Sequence, residues 1–349
     1  MPESPSMPQL VIVSPALRDA NNGNWQTARR WRQHLAGGYR VRIANAWPDA
    51  LAAGDAAMIA LHARRSADAV AAWSAAHPRR GLAVVLTGTD LYRDIATDAS
   101  AQRSLALAQA LIVLQERGPR ALPESLGGKV RVIFQSTTAR QPLGKSRRLL
   151  RAVMVGHLRA EKSPQTLFAA ARRLAGRRDV FIDHIGEPLD AALGEQARAT
   201  MAAAPNYRWL GGLPHEAVRR RIQRAHVLVH ASRIEGGAHV IMEAVASATP
   251  VLASAVDGNV GMLGADYGGY FPWNDAEALA ALLLRCRESA GGEGGGRQGE
   301  QRGEQGQGLY QRLQAQCRQR APLFAPARER AEVRGLADDL VAGVARGAD

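Results

Sequence analysis

Short apolar runs recur along the chain at 10–13, 41–44, 57–61, 82–86, 111–114 and 130–134, each bounded by Gly, Pro, Asp or Asn. Longer stretches rich in Ala, Arg and Leu separate them, with apolar residues at helical spacing. Runs this short read as strands buried on both faces, and their alternation with amphipathic stretches predicts a parallel sheet covered by helices. The pattern then restarts at 151–155, 180–185, 207–210, 227–230 and 250–253. Between the two series, 137–148 carries Pro142, Gly144 and the basic run Lys145 to Arg148, and reads as a linker. The expectation is an α/β protein of two Rossmann-like domains, 1–147 and 148–349, facing each other across a cleft at the carboxyl ends of their strands. A tract of Gly, Glu, Gln and Arg over 290–308 is low in complexity and reads as a flexible loop. A helical ending follows from Leu309 to about Arg346, broken near Pro322 and Pro326, and is assigned to the second domain.

Composition narrows the partners. With 349 residues and 46% hydrophobic content, two cores are expected. The net charge of +13 admits nucleic acid, anionic lipid or a phosphorylated small molecule. The arginines lie in scattered short clusters without interleaved aromatics, which argues against nucleic acid. No apolar run has membrane length, and the first half holds no amphipathic stretch with a Trp/Phe/Leu face, which argues against a membrane partner. Cys286 and Cys317 lack metal-ligand spacing and read as free thiols. The first residues show no charged segment followed by an apolar one, so a cytoplasmic protein is expected.

The chemistry concentrates after the strand at 227–230. Glu235, Gly236, Gly237, Ala238, His239 and Val240 lead into a helix that carries Glu243. Glycines there let backbone amides approach a ligand, and the start of a helix favours a diphosphate. Glu243, placed about two turns into that helix, has the chemistry to accept ribose hydroxyls, and Glu235 to contact a sugar. The same residues also read as an ordinary strand–loop–helix with two solvated glutamates. In the first half, two polar loops follow strands. One runs from Ser14 through Arg18, Asn21, Asn22, Gly23 and Asn24. The other holds Thr87, Gly88, Thr89, Asp90 and Arg93. Asp90 reads equally as a base and as the cap of the next helix.

Glu235 and Glu243, followed by Ala244, Ala246, Thr249, Pro250 and Val251, resemble the donor-site signature of GT4-type glycosyltransferases with the GT-B fold. The stretch from Val155 to Lys162 resembles the loop in which that family carries an Arg and a Lys on the donor diphosphate. Lys162 matches, His157 stands where Arg is usual, and Arg159 is the candidate to compensate. Tyr207 to Pro214, with Leu213, resembles the family's base-proximal strand and loop. The resemblance implies a nucleotide-sugar donor and a Gly-rich loop, here Asn22, Gly23 and Asn24, beneath the transferring sugar.

A narrower resemblance covers Gln9 to about Cys286. The wording around Ser14–Ala16, Asn21–Ala28, Leu61–Ser66, Leu86–Asp94 and Glu235–Val240 is similar to the selenosugar synthase (SenB) family of selenoneine biosynthesis. It implies transfer of N-acetylglucosamine from a UDP-sugar to selenophosphate, with formation of a carbon–selenium bond. An anionic selenium nucleophile needs no strong base, and its phosphate calls for basic residues. Arg18, Arg64, Arg65 and Arg93 are the candidates, with Asn21, His62 and Thr87–Thr89 beside them; each Arg also reads as a surface residue. His62 and His239 are candidates to position the sugar. No metal or other cofactor is expected, since no Asp-x-Asp motif is present. The alternatives are a hexosyltransferase to a hydroxyl of a glycan or lipid, and a UDP-sugar sensor without turnover.

Overall fold

The computed structural model describes residues 7–17, 23–291 and 308–343. Arg18, Asn21, Asn22 and most of the Gly/Glu/Gln tract lie outside them. The chain divides into two units, Met1–Ser136 with Pro326–Asp349, and Thr137–Ala325.

In chain order the first unit contains β1 (Gln9–Val13), α1 (Gly23–Leu35), β2 (Arg40–Ala44), β3 (Asp55–Leu61), α2 (Ala67–Ala76), β4 (Leu82–Leu86), α3 (Ile95–Thr97), α4 (Ala99–Leu107), β5 (Ala110–Val113) and β6 (Val130–Val132). Its six strands are all parallel, in the order β2-β1-β3-β4-β5-β6. Side chains alternate across the sheet, as the two-residue period of a strand requires. Leu82, Val84 and Leu86 enter one core with Trp73, while Ala83 and Val85 enter the other with Trp31 and Leu35. Both faces are therefore dry, which is why the runs contain so few polar residues.

The second unit contains β7 (Leu150–Val155), α5 (Pro164–Arg173), β8 (Val180–Ile185), α6 (Ala191–Ala203), β9 (Tyr207–Trp209), α7 (His215–Arg224), β10 (Val227–His230), α8 (His239–Val245), β11 (Val251–Ser254), α9 (Asp257–Leu263), β12 (Tyr270–Phe271), α10 (Ala276–Gly291) and α11 (Leu309–Arg320). Its strand order, β12-β11-β10-β7-β8-β9, is that of the doubly wound dinucleotide-binding sheet. The order reverses between β7 and β10, so the loops after these two strands flank the position where such sheets bind ligands. In the first unit the reversal lies between β1 and β3.

Two expectations are corrected. The division falls at Ser136/Thr137 rather than at 147/148, and residues 137–148 go with the second unit. The last helix, α12 (Pro326–Ala342), belongs to the first unit, where Val333, Leu336, Ala337 and Leu340 fill the core beneath Trp31. Its apolar stripe needed a partner, and α1 with the first sheet supplies it. Among the described residues no helix is long and apolar enough to cross a membrane.

Candidate functional site

In the second unit the loops after β7 and β10 converge on Glu235. Its Oε1 accepts from Lys162 Nζ at 2.5 Å and lies 3.0 Å from His230 Nε2. Glu235 is 9% exposed and His230 1%. Burial pushes the Glu235 carboxyl up, but the adjacent Lys162 and His230 outweigh it and hold it well below the usual carboxylate range. Burial lowers His230, which leaves it neutral near pH 7. The pair is therefore a carboxylate and an ammonium, each largely cancelling the other.

The lysine loop is fixed to the glutamate loop by main chain as well. Arg233 N–H donates to Glu161 O at 2.8 Å, and Ser163, at a left-handed φ of 46°, accepts from Trp273 Nε1 at 2.9 Å. Close packing behind Glu235 depends on Gly258. A Cβ added there would stand 1.9 Å from the Glu235 carbonyl oxygen, a backbone atom that cannot step aside alone. Gly258→Ala is therefore expected to push the Glu235 loop by roughly 1 Å and to lower any activity that depends on the Lys162–Glu235 pair about 100-fold, with the fold retained. Steady-state kinetics beside a thermal melt checks this; unchanged turnover would remove the loop's position from the account.

Glu243 lies one turn into α8, not two, because the helix begins only at His239. It is 5% exposed, and its Oε1 meets His215 Nε2 at 2.6 Å. That hydrogen bond raises the His215 pKa despite the burial that opposes it. His215 follows Pro214 and the half-buried Leu213. His157 Nδ1 accepts the Glu187 N–H at 3.1 Å, and burial with nearby Arg159 lowers its pKa, so near pH 7 it is a neutral acceptor. Arg159 is exposed. Of the amides expected to face a ligand, that of Ala238 instead donates to Met262 Sδ at 3.1 Å, because the short α8 turns this residue into the core. Gly236 is buried, Gly237 and Val240 are half-buried, and His239 is the first residue of α8.

In the first unit the loops after β3 and β4 meet at Asp90. It is 0% exposed; Oδ1 accepts the amides of Thr87 at 2.8 Å and Gly88 at 3.0 Å, and Oδ2 accepts that of Ala63 at 2.9 Å. A carboxylate used in this way braces two loops, a role closer to the capping reading of Asp90 than to the base. His62 is 2% exposed and adopts φ 74°, a strained position for a residue with a side chain. Its Nδ1 accepts the Arg65 amide at 3.3 Å, so Nε2 carries the proton toward Thr89 Oγ1, also at 3.3 Å. Arg64 and Arg93 both reach Asp94, at 2.8 and 3.2 Å, while Arg65 is exposed. Gly23 opens α1 and its carbonyl accepts from Thr27 Oγ1; Asn24 is half-buried beside it.

Sequence reasoning passed over His230, His215, Arg233, Trp273 and Gly258. His230, at the end of its strand and five residues before Glu235, was the one with a readable signal.

Residues 135–290 match the family model of glycosyl transferases group 1. Among solved structures, sucrose-phosphate synthase from Thermosynechococcus elongatus is 16% identical with a TM-score of 0.71, over 96% of this chain and 99% of that one. Anabaena HepE in complex with UDP and glucose is 14% identical with a TM-score of 0.67, over 95% and 99%. A mutant of S. aureus TarM, in complex with fondaparinux, alpha-GlcNAc-glycerol and UDP, is 12% identical with a TM-score of 0.57 over 82% of this chain, which spans 55% of that one. No match is found among the curated proteins. These likenesses agree with the two parallel sheets in giving the GT-B fold, and residues 135–290 are similar to the glycosyl transferases group 1 family.

Proposed function

We propose that this chain transfers N-acetylglucosamine from its UDP-sugar to selenophosphate. The second unit takes the donor. Glu243 accepts the ribose hydroxyls, Lys162 meets the diphosphate, and Glu235 holds Lys162 and faces the sugar. The UDP in the HepE and TarM structures, and the GlcNAc of the TarM ligand, support this donor. The first unit takes the acceptor with Arg64, Arg65, Arg93, His62, Thr87, Gly88 and Thr89, to which the sequence resemblance adds Arg18 and Asn21. By the sequence resemblance, Asn22, Gly23 and Asn24 belong to the acceptor side and His239 to the donor side.

Asp90 carries the choice of acceptor. Its oxygens are engaged by amides, so the loop offers no free carboxylate to deprotonate a hydroxyl. Selenophosphate arrives already anionic, and the exposed Arg65 suits its phosphate, with Arg64 and Arg93 shared with Asp94 beside it. Selenium attacks C1 as the C1–O bond to UDP breaks, which inverts the anomeric centre. Water then cleaves the Se–P bond and releases phosphate. Charge on departing UDP falls to Lys162, with no metal or cofactor required.

A hydroxyl acceptor is the second reading, favoured by the alpha-GlcNAc-glycerol in the TarM structure. Mass spectrometry separates the two. With UDP-N-acetylglucosamine and a chelator, the expected result is a selenium-bearing sugar with stoichiometric UDP, formed only when selenophosphate is present. Absence of that product with or without magnesium, or transfer to glycerol instead, overturns the proposal.

A further inference from the structure

Resting on the reading of the second unit as a UDP-sugar site, we propose that Arg233 is the cation that completes its diphosphate subsite. A diphosphate brings at least two negative charges. Lys162 is already paired with Glu235 at 2.5 Å, and His157 and His230 are both lowered toward the neutral form. These residues together supply almost no net positive charge.

Arg233 lies two residues before Glu235, and its main chain is bonded to Glu161, the neighbour of Lys162. Its guanidinium carbon lies over the Trp273 ring, 5.1 Å from the centroid, and among the described residues it pairs with no carboxylate. That sets it apart from Arg64 and Arg93, which share Asp94, and from Arg208 and Arg221, which share Asp183. Trp273 is 42% exposed and is itself anchored, through Nε1, to Ser163 beside Lys162. An exposed tryptophan would otherwise be a liability; here it is a shelf that holds an arginine over the lysine loop.

The stack matters because an arginine side chain, with its many rotamers, loses much conformational freedom when it is immobilised. A guanidinium already held against a ring loses less on meeting phosphate, and the stack leaves its N–H edge free to donate. Arg159 is the competing cation. It is exposed and three residues before Lys162, but among the described residues no ring contact or salt bridge holds its side chain.

The test titrates UDP and uridine into the full chain by calorimetry, with Arg233→Gln, Arg159→Gln and Trp273→Ala beside the unmodified protein. Arg233→Gln is expected to weaken UDP about 10- to 100-fold, the size of a hydrogen bond to a charged group, and to leave uridine unchanged. Trp273→Ala is expected to weaken UDP about fivefold, also without effect on uridine. A structural defect would weaken both ligands together and overturn the inference. So would an Arg233→Gln protein that binds UDP normally, or a loss carried by Arg159→Gln in its place; the donor reading survives in both cases. An unmodified protein that binds no UDP overturns the donor reading and the inference with it.

Discussion

Lys162→Ala is expected to reduce donor turnover by about three orders of magnitude, the largest catalytic loss any single substitution in this chain should cause. The lysine has three N–H donors, and Glu235 takes one of them. The other two remain for oxygens on which charge develops as UDP departs. Removing one such preorganised donor typically costs 100- to 1,000-fold. A second effect adds to the first. Glu235, 9% exposed, keeps His230 but loses its ammonium partner, so burial is no longer outweighed and its carboxyl is pushed up. The loop then carries neither its ammonium nor a dependable carboxylate. Lys162→Arg should recover part of the rate, since it restores the charge but not the compact geometry. The measurement is kcat/KM for the UDP-sugar, beside circular dichroism to confirm the fold. A loss below tenfold would reduce Lys162 to a structural partner of Glu235.

How far the chain could be read in advance follows from what each feature depends on. Strands buried on both faces announce themselves, because a dry environment excludes polar residues; the runs at 82–86, 180–185 and 227–230 coincide with β4, β8 and β10. β12 escaped because two residues, Tyr270 and Phe271, have no periodicity to detect. Lys162, Glu235 and Glu243 were legible because a family pattern fixes their spacing, and the structure brings the first two into contact. His215 was not, since its contact with Glu243 depends on the packing of α7 against α8 rather than on spacing. Asp90 shows the limit of residue chemistry alone. An aspartate in a loop of hydroxyls looks like a base, but three backbone amides, one of them from another loop, claim its oxygens. The destination of α12 was hidden for the same reason. Its stripe says that it packs, and only the tertiary structure says against what.

Glu329→Ala is expected to destabilise the first unit by about 3–5 kcal/mol, the cost of removing one partner from a buried ionic cluster. The Glu329 side chain is 0% exposed. It accepts from Trp31 Nε1 at 2.8 Å, Arg30 Nε at 2.8 Å, and the Ser136 amide and hydroxyl at 2.9 and 2.5 Å, with His34 Nε2 at 3.1 Å. One carboxylate thus joins α12, α1 and the end of the segment after β6. Alanine leaves the indole N–H, a largely buried guanidinium and a buried hydroxyl without their acceptor. Acid should produce the same loss gradually. Burial raises the carboxyl, but the His34 hydrogen bond, the Arg30 charge and Ser136 outweigh it and bring the pKa from 4.5 to about 2. A carboxyl lowered on folding stabilises the native state above its unfolded pKa, and that contribution fades as pH falls toward the folded one. The window is therefore pH 4.5 down to about 2, and the contribution at stake is about 3 kcal/mol. Glu329→Gln separates the two effects. It keeps an acceptor for the indole but cannot titrate, so its stability should start lower at pH 7 and fall less steeply across that window. Denaturant unfolding of the full chain at several pH values gives the comparison. Parallel pH profiles for the unmodified protein and Glu329→Gln would show that the cluster's ionisation does not hold α12 to the first sheet.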